Sequence, residues 1–315
     1  MNKNLKIVFF GTPEFAVTSL DALIKAGFNI CAVVTMPDKV AGRGHKIIQS
    51  DVKRYALEHN LPVLQPEKLK SPDFVDALRA IDADLFIVIA FRMLPEIVWQ
   101  MPRLGTFNLH ASLLPKYRGA APINHAVMNG ETETGITTFF LKHEIDTGDM
   151  IMQRSISIGE DENVGSVHDR LMSIGAEAVV TTVNDIINGT LHTRPQPEGE
   201  FIPAPKIFKE TCRIDWNKSA REIHNHVRGL SPYPAAWTRM VTVEGNETDL
   251  KIFTTSLKGI PQLPPLAPGQ TYIEKGHLYV GTSSEPVEIL ELQPAGKKRM
   301  EAGAFILGYH PNDLV

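Results

Sequence analysis

Residues 105–122 read GTFNLHASLLPKYRGAAP and place an amide, an imidazole, a hydroxyl and cations in one short stretch. Its first part predicts a strand that ends near His110, and Pro115 then restricts the residue before it to extended conformations, so a loop follows. Because alternate side chains of a strand share a face, Asn108 and His110 lie side by side, and Leu109 faces the other way. An amide and an acid/base group at the carboxyl end of a strand match the edge where open α/β sheets bind ligands.

The chain around this stretch alternates short apolar strands with helical patterns. A run at 5–10 that is apolar apart from Lys6 is followed by a helical stripe that ends near Gly27. Further strands are predicted at 30–34, 62–64, 85–90 and 106–110, and further helices at 52–59, 74–80, 96–100 and 123–128. Short apolar strands between helices predict an α/β fold with a doubly wound, mostly parallel sheet.

A second cluster of polar groups, HEIDTGD at residues 143–149, lies between two extended runs at 136–141 and 150–158. We expect an antiparallel hairpin whose tip delivers Asp146, followed by a long helix over 164–188. An Asn and a His two residues apart also fit a solvated strand edge. The acidic loop favours a site, because a carboxylate can orient a histidine and stabilise its charged form.

Two nucleotide-binding motifs are excluded by the sequence. The segment Gly11-Thr12-Pro13-Glu14 lacks the second and third glycines of the dinucleotide fingerprint, and Glu14 falls where a pyrophosphate would bind. No GxxxxGK phosphate loop occurs in the chain. The first domain is therefore not expected to bind a nicotinamide cofactor or a nucleotide triphosphate.

Proline-rich segments at 194–197 and 203–205 predict a domain boundary. We expect a catalytic domain over 1–189, a linker over 190–207 and a C-terminal domain over 208–315. One helix is predicted in this last domain around 219–227. Five short strands are predicted to form a small β-barrel, at 236–242, 250–256, 272–273, 278–280 and 287–292.

Composition sets the remaining limits. The net charge of −4 excludes a polycationic nucleic-acid binder, so any such contact must use local patches. No apolar run approaches the length of a membrane span, and the apolar segment near the N-terminus is too short for a signal peptide. Cys31 and Cys212 lack metal or redox spacing, and His224 and His226 are expected to be a helix-surface pair, so no metal site is predicted. A monomer in a reducing cytoplasm is the simplest expectation.

Five motifs give the chain a resemblance to the methionyl-tRNA formyltransferase family. They are GTPEFA at 11–16, PDKVAGRG at 37–44, NLHASLLPKYRGAAPI at 108–123, DTGDM at 146–150, and the C-terminal IDW at 214–216 with VRGLSPYPAAW at 227–237. The resemblance implies that the C-terminal barrel is of the oligonucleotide-binding (OB) type. It also implies 10-formyltetrahydrofolate as a co-substrate, with no permanently bound cofactor, and initiator methionyl-tRNA as the partner in translation initiation.

Formyl transfer suggests a role for each candidate residue. Asn108 can donate to a tetrahedral oxyanion, His110 can relay a proton, and Asp146 can orient the imidazole. The folate-binding site would be shaped by the backbone of the loop Ser112, Leu113, Leu114 and Pro115. By resemblance, the loop that contains Arg43 would reach the tRNA acceptor end.

Two other functions remain open. A formyltransferase acting on a sugar nucleotide or purine precursor would share the first domain, and a formyltetrahydrofolate hydrolase would use the same three polar residues. The segment Phe91-Arg92-Met93 departs from the family pattern by an arginine and by its length. By resemblance, the segment after the strand at 85–90 binds the pterin, so this departure changes what can be expected of the pterin pocket.

Overall fold

The computed structural model of the protein describes residues 5–41, 46–198 and 202–315. The strands of this part of the chain are, in order, β1 (Lys6–Gly11), β2 (Asn29–Val34), β3 (Lys39–Ala41), β4 (Lys46–Ile48), β5 (Val63–Leu64), β6 (Leu85–Ile89), β7 (Thr106–His110), β8 (Arg118–Gly119), β9 (Glu133–Phe140), β10 (Met150–Ser157), β11 (Pro203–Ala204), β12 (Ala236–Thr242), β13 (Glu247–Ser256), β14 (Thr271–Glu274), β15 (His277–Val280), β16 (Val287–Pro294), β17 (Met300–Glu301) and β18 (Pro311–Leu314). The α-helices are α1 (Glu14–Lys25), α2 (Asp51–Glu58), α3 (Pro72–Ile81), α4 (Glu96–Trp99), α5 (Pro122–Met128), α6 (Val164–Asn188), α7 (Ala220–Leu230) and α8 (Ala302–Phe305).

The described residues divide into two compact units. The first comprises those of Met1–Gly119, Gly135–Ile156 and Asp169–Pro203. The second comprises Ala120–Thr134, Ser157–His168 and Ala204–Val315. Two short segments before residue 189 thus belong to the second unit, and the domain limits at 189 and 208 stay a sequence-based prediction.

The first unit is built on a seven-stranded sheet in the order β10-β9-β7-β6-β1-β2-β5. Strands β5, β2, β1, β6 and β7 are parallel, and β9 runs antiparallel to β7. Every residue of β6 is buried, as expected for a strand covered on both faces. The predicted doubly wound, mostly parallel sheet is therefore confirmed.

The order of the strands determines where a ligand can bind. From β1 the chain proceeds to β2 and β5 on one side, then returns to β6 on the other side of β1. The crevice of an open α/β sheet lies at such a reversal, outside the carboxyl ends of the strands. Gly11 ends β1, Ala90 follows β6, and His110 ends β7, so this edge carries the predicted polar groups.

The C-terminal strands form an antiparallel sheet in the order β14-β15-β16-β13-β12-β18, with β17 paired to β16. A bridge between Gln270 and Asp313 joins the two ends of this order, which closes the sheet into a small barrel. Helix α7 begins at a capping box made by Ser219 and Glu222, and it packs Ile223 and Val227 into the barrel core. The predicted antiparallel C-terminal domain is confirmed.

The expectation of a helix-surface pair at His224 and His226 is wrong. His226 is half-buried, and burial lowers its pKa, whereas His224 is buried more completely. The two ring nitrogens of His224 lie 2.9 Å from the Thr255 hydroxyl oxygen and 3.3 Å from the Glu160 carbonyl oxygen. Burial lowers the pKa of His224 below its usual value. The helical period alone does not reveal this, because α7 is covered on more than one face.

No helix in the described part of the chain is both long enough and apolar enough to span a bilayer.

Candidate active site

Strand β7 presents Asn108 and His110 on one face of the sheet. Leu109, between them, packs on the opposite face, where a Cβ atom added to Gly175 of α6 would come within 2.9 Å of its Cδ2. His110 is 6% exposed, and Asn108 is half-buried. Among the described residues no hydrogen bond engages the Asn108 amide, so its N–H groups can serve a substrate.

The His110 ring is oriented by a backbone carbonyl. Its Nε2 donates to the Tyr117 carbonyl oxygen at 2.8 Å. Because a carbonyl only accepts, we assign the proton of the neutral ring to Nε2. Nδ1 then carries the lone pair, and it lies 3.8 Å from Asp146 Oδ2. That distance is too long for a hydrogen bond, so Asp146 does not fix the ring by a direct hydrogen bond.

Asp146 lies in the connection between β9 and β10, as predicted. Its backbone adopts the left-handed conformation, with φ of 54°, which is uncommon for a non-glycine residue but more accessible to Asp than to most. Its Oδ2 accepts a hydrogen bond from the Gly119 backbone N–H at 3.0 Å. Two residues on, Gly148 has no room for a side chain, because an added Cβ would lie 1.5 Å from the Phe140 carbonyl oxygen.

A residue that the sequence analysis did not single out also contacts this connection. The Gln196 side-chain amide donates to the carbonyl oxygens of Asp146 at 2.7 Å and Gly148 at 3.0 Å. Its own oxygen accepts from the Arg118 guanidinium. Gln196 lies in the segment predicted to be a spacer. The one available signal was a hydrogen-bonding side chain placed between two prolines.

The loop Ser112–Pro115 is held by a network around Thr137. The Thr137 hydroxyl donates to the Ser112 carbonyl oxygen at 2.7 Å and accepts from the Leu114 N–H at 3.2 Å. Gln153 Nε2 donates to the same hydroxyl at 3.1 Å and to the Leu114 carbonyl oxygen at 2.9 Å. Ser112 is buried, and its hydroxyl donates to the Lys116 carbonyl oxygen at 2.7 Å. The hydroxyl of Ser112 therefore acts within the loop.

The side chains of the remaining loop residues pack inward or lie at its surface. Leu114 is buried against Phe139 and Met150. Leu113 is half-buried and covers Gly135, where an added Cβ would lie 2.5 Å from its Cδ2. Pro115 is also half-buried. The Leu114 side chain therefore belongs to the core, whereas Leu113 and Pro115 stay partly accessible.

The atypical segment after β6 is anchored by its arginine. Arg92 donates to the backbone carbonyl oxygens of Glu67, at 2.8 Å, and Pro66, and its guanidinium carbon lies 5.7 Å from the centre of the Phe91 ring. Burial lowers the pKa of Arg92. Phe91 packs edge-on against Phe10 of β1. The departure from the family pattern thus fixes the end of β6 to the segment that follows β5.

Arg43, predicted to contact tRNA, lies outside the described residues. The described residues contain no group of three or more His, Cys, Asp or Glu side chains that could hold a metal ion.

A doubly wound sheet with an amide, an imidazole and a carboxylate at its carboxyl edge, followed by a small antiparallel barrel, matches one family along both parts. The model for "Formyl transferase" matches residues 5–183, and the model for "Formyl transferase, C-terminal domain" matches residues 206–310. The chain belongs to the formyl transferase family.

Its relatives specify the resemblance further. Methionyl-tRNA formyltransferase from Bacteroides fragilis is 56% identical over 313 residues, which cover 98% of this chain and 96% of that protein. The enzyme of the same name from Porphyromonas gingivalis is 47% identical over 311 residues, covering 98% and 96%. The resemblance to methionyl-tRNA formyltransferases that the motifs carry is confirmed.

Solved structures share the fold. A sugar 3N-formyl transferase, crystallised with dTDP and 5-N-formyl-THF, has a TM-score of 0.65 at 20% identity, covering 93% of this chain and 99% of that one. HypX from Aquifex aeolicus in complex with tetrahydrofolic acid has a TM-score of 0.62 at 18% identity, covering 96% of this chain and 46% of that one.

Proposed function

We propose that the protein transfers the formyl group of 10-formyltetrahydrofolate to the amino group of methionine on initiator methionyl-tRNA. The observation that carries this proposal is the similarity to methionyl-tRNA formyltransferases, at 56% identity over 98% of the chain, which includes the C-terminal barrel. The site of action would be the cytoplasm, where translation begins, and a monomer suffices.

The chemistry requires an uncharged amine to attack the formyl carbon. A new C–N bond forms, the carbonyl oxygen gains negative charge, and collapse of the intermediate breaks the bond to N10 of the folate. The amine loses one proton, and N10 gains one, so the reaction needs a group that takes up a proton and returns it.

The proposed roles follow from the site geometry. The Asn108 amide, which no described residue engages, donates to the oxyanion. His110 Nδ1 holds the lone pair, takes the proton of the amine and delivers it to N10, while Nε2 stays bonded to the Tyr117 carbonyl. The imidazolium formed in this step faces Asp146 Oδ2 at 3.8 Å, which stabilises its charge.

The substrates would be held on either side of this centre. We propose that the backbone of Ser112, Leu113, Leu114 and Pro115 contacts the folate, since that loop is rigid and follows β7 directly. Arg43 is proposed to contact the tRNA acceptor end.

The test is to incubate the protein with 10-formyltetrahydrofolate alone, with methionine-charged initiator tRNA, and with an amino-sugar nucleotide. We expect rapid release of tetrahydrofolate, together with formylmethionyl-tRNA, only with the charged tRNA. Equal release in its absence would indicate a hydrolase. Release that depends on the sugar nucleotide would overturn the proposal in favour of a sugar formyltransferase.

A further inference from the structure

Gln196 holds the loop that carries Asp146 from a segment distant in the chain. Both protons of its amide nitrogen are used, on the carbonyl oxygens of Asp146 at 2.7 Å and Gly148 at 3.0 Å. The neighbouring Pro195 and Pro197 are exposed, whereas Gln196 is half-buried. Of these three consecutive residues, Gln196 is the one whose side chain contacts the loop of Asp146.

Arg118 fixes which way the Gln196 amide faces. Its Nε and Nη2 donate to Gln196 Oε1 at 3.2 and 2.5 Å. A flipped amide would point its N–H groups at the guanidinium and its oxygen at two carbonyls, so one orientation satisfies all the groups. The next residue, Gly119, donates its backbone N–H to Asp146 Oδ2 at 3.0 Å. Gly119 therefore supports the Asp146 carboxylate directly. Arg118 supports the Asp146 backbone through Gln196.

The loop buries few side chains just before Asp146. The four residues just before Asp146 are exposed and bury no side chain in the core; they are Lys142, His143, Glu144 and Ile145. Asp146 itself adopts a positive φ of 54°. Exposed segments with few buried contacts open readily, and a disfavoured backbone conformation persists only where its surroundings impose it. The two hydrogen bonds from Gln196 restrain the backbone at this point.

We propose that Gln196 is a positioning residue for catalysis, which keeps the Asp146 carboxylate facing His110 Nδ1 at 3.8 Å. It contacts neither substrate nor reacting atoms in this role and acts entirely through Asp146. The inference rests on the proposed function, because it assigns a role in the same site.

A double-mutant cycle on the full-length protein tests this role. The variants are Gln196→Ala, Asp146→Ala and the double variant, and the readout is formyl transfer from 10-formyltetrahydrofolate to charged initiator tRNA. Misplacement of a catalytic group by about 1 Å can cost on the order of 100-fold in rate. We expect Gln196→Ala to lower kcat by about 10- to 100-fold with little change in the folate KM. In the Asp146→Ala background it should have no further effect, since the group it positions is gone.

Gln153 provides a matched control. Its Nε2 also donates to two acceptors, and its Oε1 also accepts from an arginine, Arg194, at 2.8 Å, but it holds the loop at Leu114. Gln153→Ala should act mainly on the folate KM, and its effect should multiply with that of Asp146→Ala. If Gln196→Ala also multiplies with Asp146→Ala, or leaves kcat unchanged, the positioning role is refuted.

Two further measurements separate this role from general instability and from the proposed function. Gln196→Glu keeps the size of the side chain and its link to Arg118 but has no N–H donors, so it should lose kcat as Gln196→Ala does. Hydrogen exchange should become faster in peptides spanning 142–149 for both Gln196 variants and stay unchanged for Gln153→Ala. Unchanged exchange in this loop overturns the inference. If exchange becomes faster in the Gln196 variants but the wild type does not formylate tRNA, the proposed function is overturned. The structural role of Gln196 in holding the Asp146 loop would still stand.

Discussion

Replacing Thr137 by valine removes the centre of the network under the proposed folate loop while keeping the shape of the side chain. Thr137 is fully buried, so water cannot take the place of its hydroxyl in the valine variant. Its loss leaves the Ser112 carbonyl and the Leu114 N–H without their partner, at 2.7 and 3.2 Å in the wild type. An unsatisfied buried group costs about 1–3 kcal/mol, so two such groups imply about 2–6 kcal/mol.

The adjacent Thr138 is the matched control, because it is equally buried in the same strand but faces α6. Its hydroxyl lies 3.0 Å from that of Thr182 and bonds to no loop residue among those that the structure describes. Thr138→Val breaks one hydroxyl pair, which is worth about 1 kcal/mol. The Thr182 hydroxyl can then bond to a carbonyl one turn earlier in the helix.

The assay compares the two variants by urea unfolding and by titration with tetrahydrofolate. We expect Thr137→Val to lose more stability than Thr138→Val does. To the extent that the loop relaxes instead, Thr137→Val should bind folate more weakly. Thr138→Val should keep the folate affinity of the wild type. If the two variants have the same unfolding midpoint and the same folate affinity, the network does not hold the loop, and the reasoning fails.

Three further predictions concern catalysis, tRNA and pH. Asn108→Ala and His110→Ala should each lower kcat by about 100-fold or more without a comparable loss of stability, measured by single-turnover formyl transfer and by thermal unfolding; a fast His110→Ala enzyme would remove the proton relay. Arg43→Ala should raise the KM for charged tRNA and leave folate affinity unchanged, and the reverse result would assign its loop to the folate. His224 has a pKa that burial lowers, so the unfolded chain binds its proton more readily. Stability should be complete above about pH 6.5 and fall as the pH drops below it, by at most about 1.4 kcal/mol per pH unit, and His224→Gln should flatten this slope in unfolding measurements at pH 7.5 and 5.5.

The sequence by itself determined the elements and their faces. Helix α6 spans the predicted 164–188, and β7 spans the predicted 106–110. Alternation along β7 placed Asn108 and His110 on one face, because a strand has a period of two. The location of Asp146 between two strands also followed from local pattern. These features could be predicted since burial of one face imposes a periodic pattern on neighbouring residues.

Only the tertiary structure decided how the polar groups of the site are held. Gln196 binds the carbonyl of a residue 50 positions earlier, and Arg92 binds a carbonyl 25 positions earlier. The partner that orients His110 is the carbonyl of Tyr117, a backbone group present at every position and therefore invisible in a sequence. Such contacts join loops whose separation depends on how the sheet is wound, and no periodic pattern records them. The helix pattern likewise predicted that His224 lies on the helix surface. In the folded chain, Glu160 and strand β13 cover it.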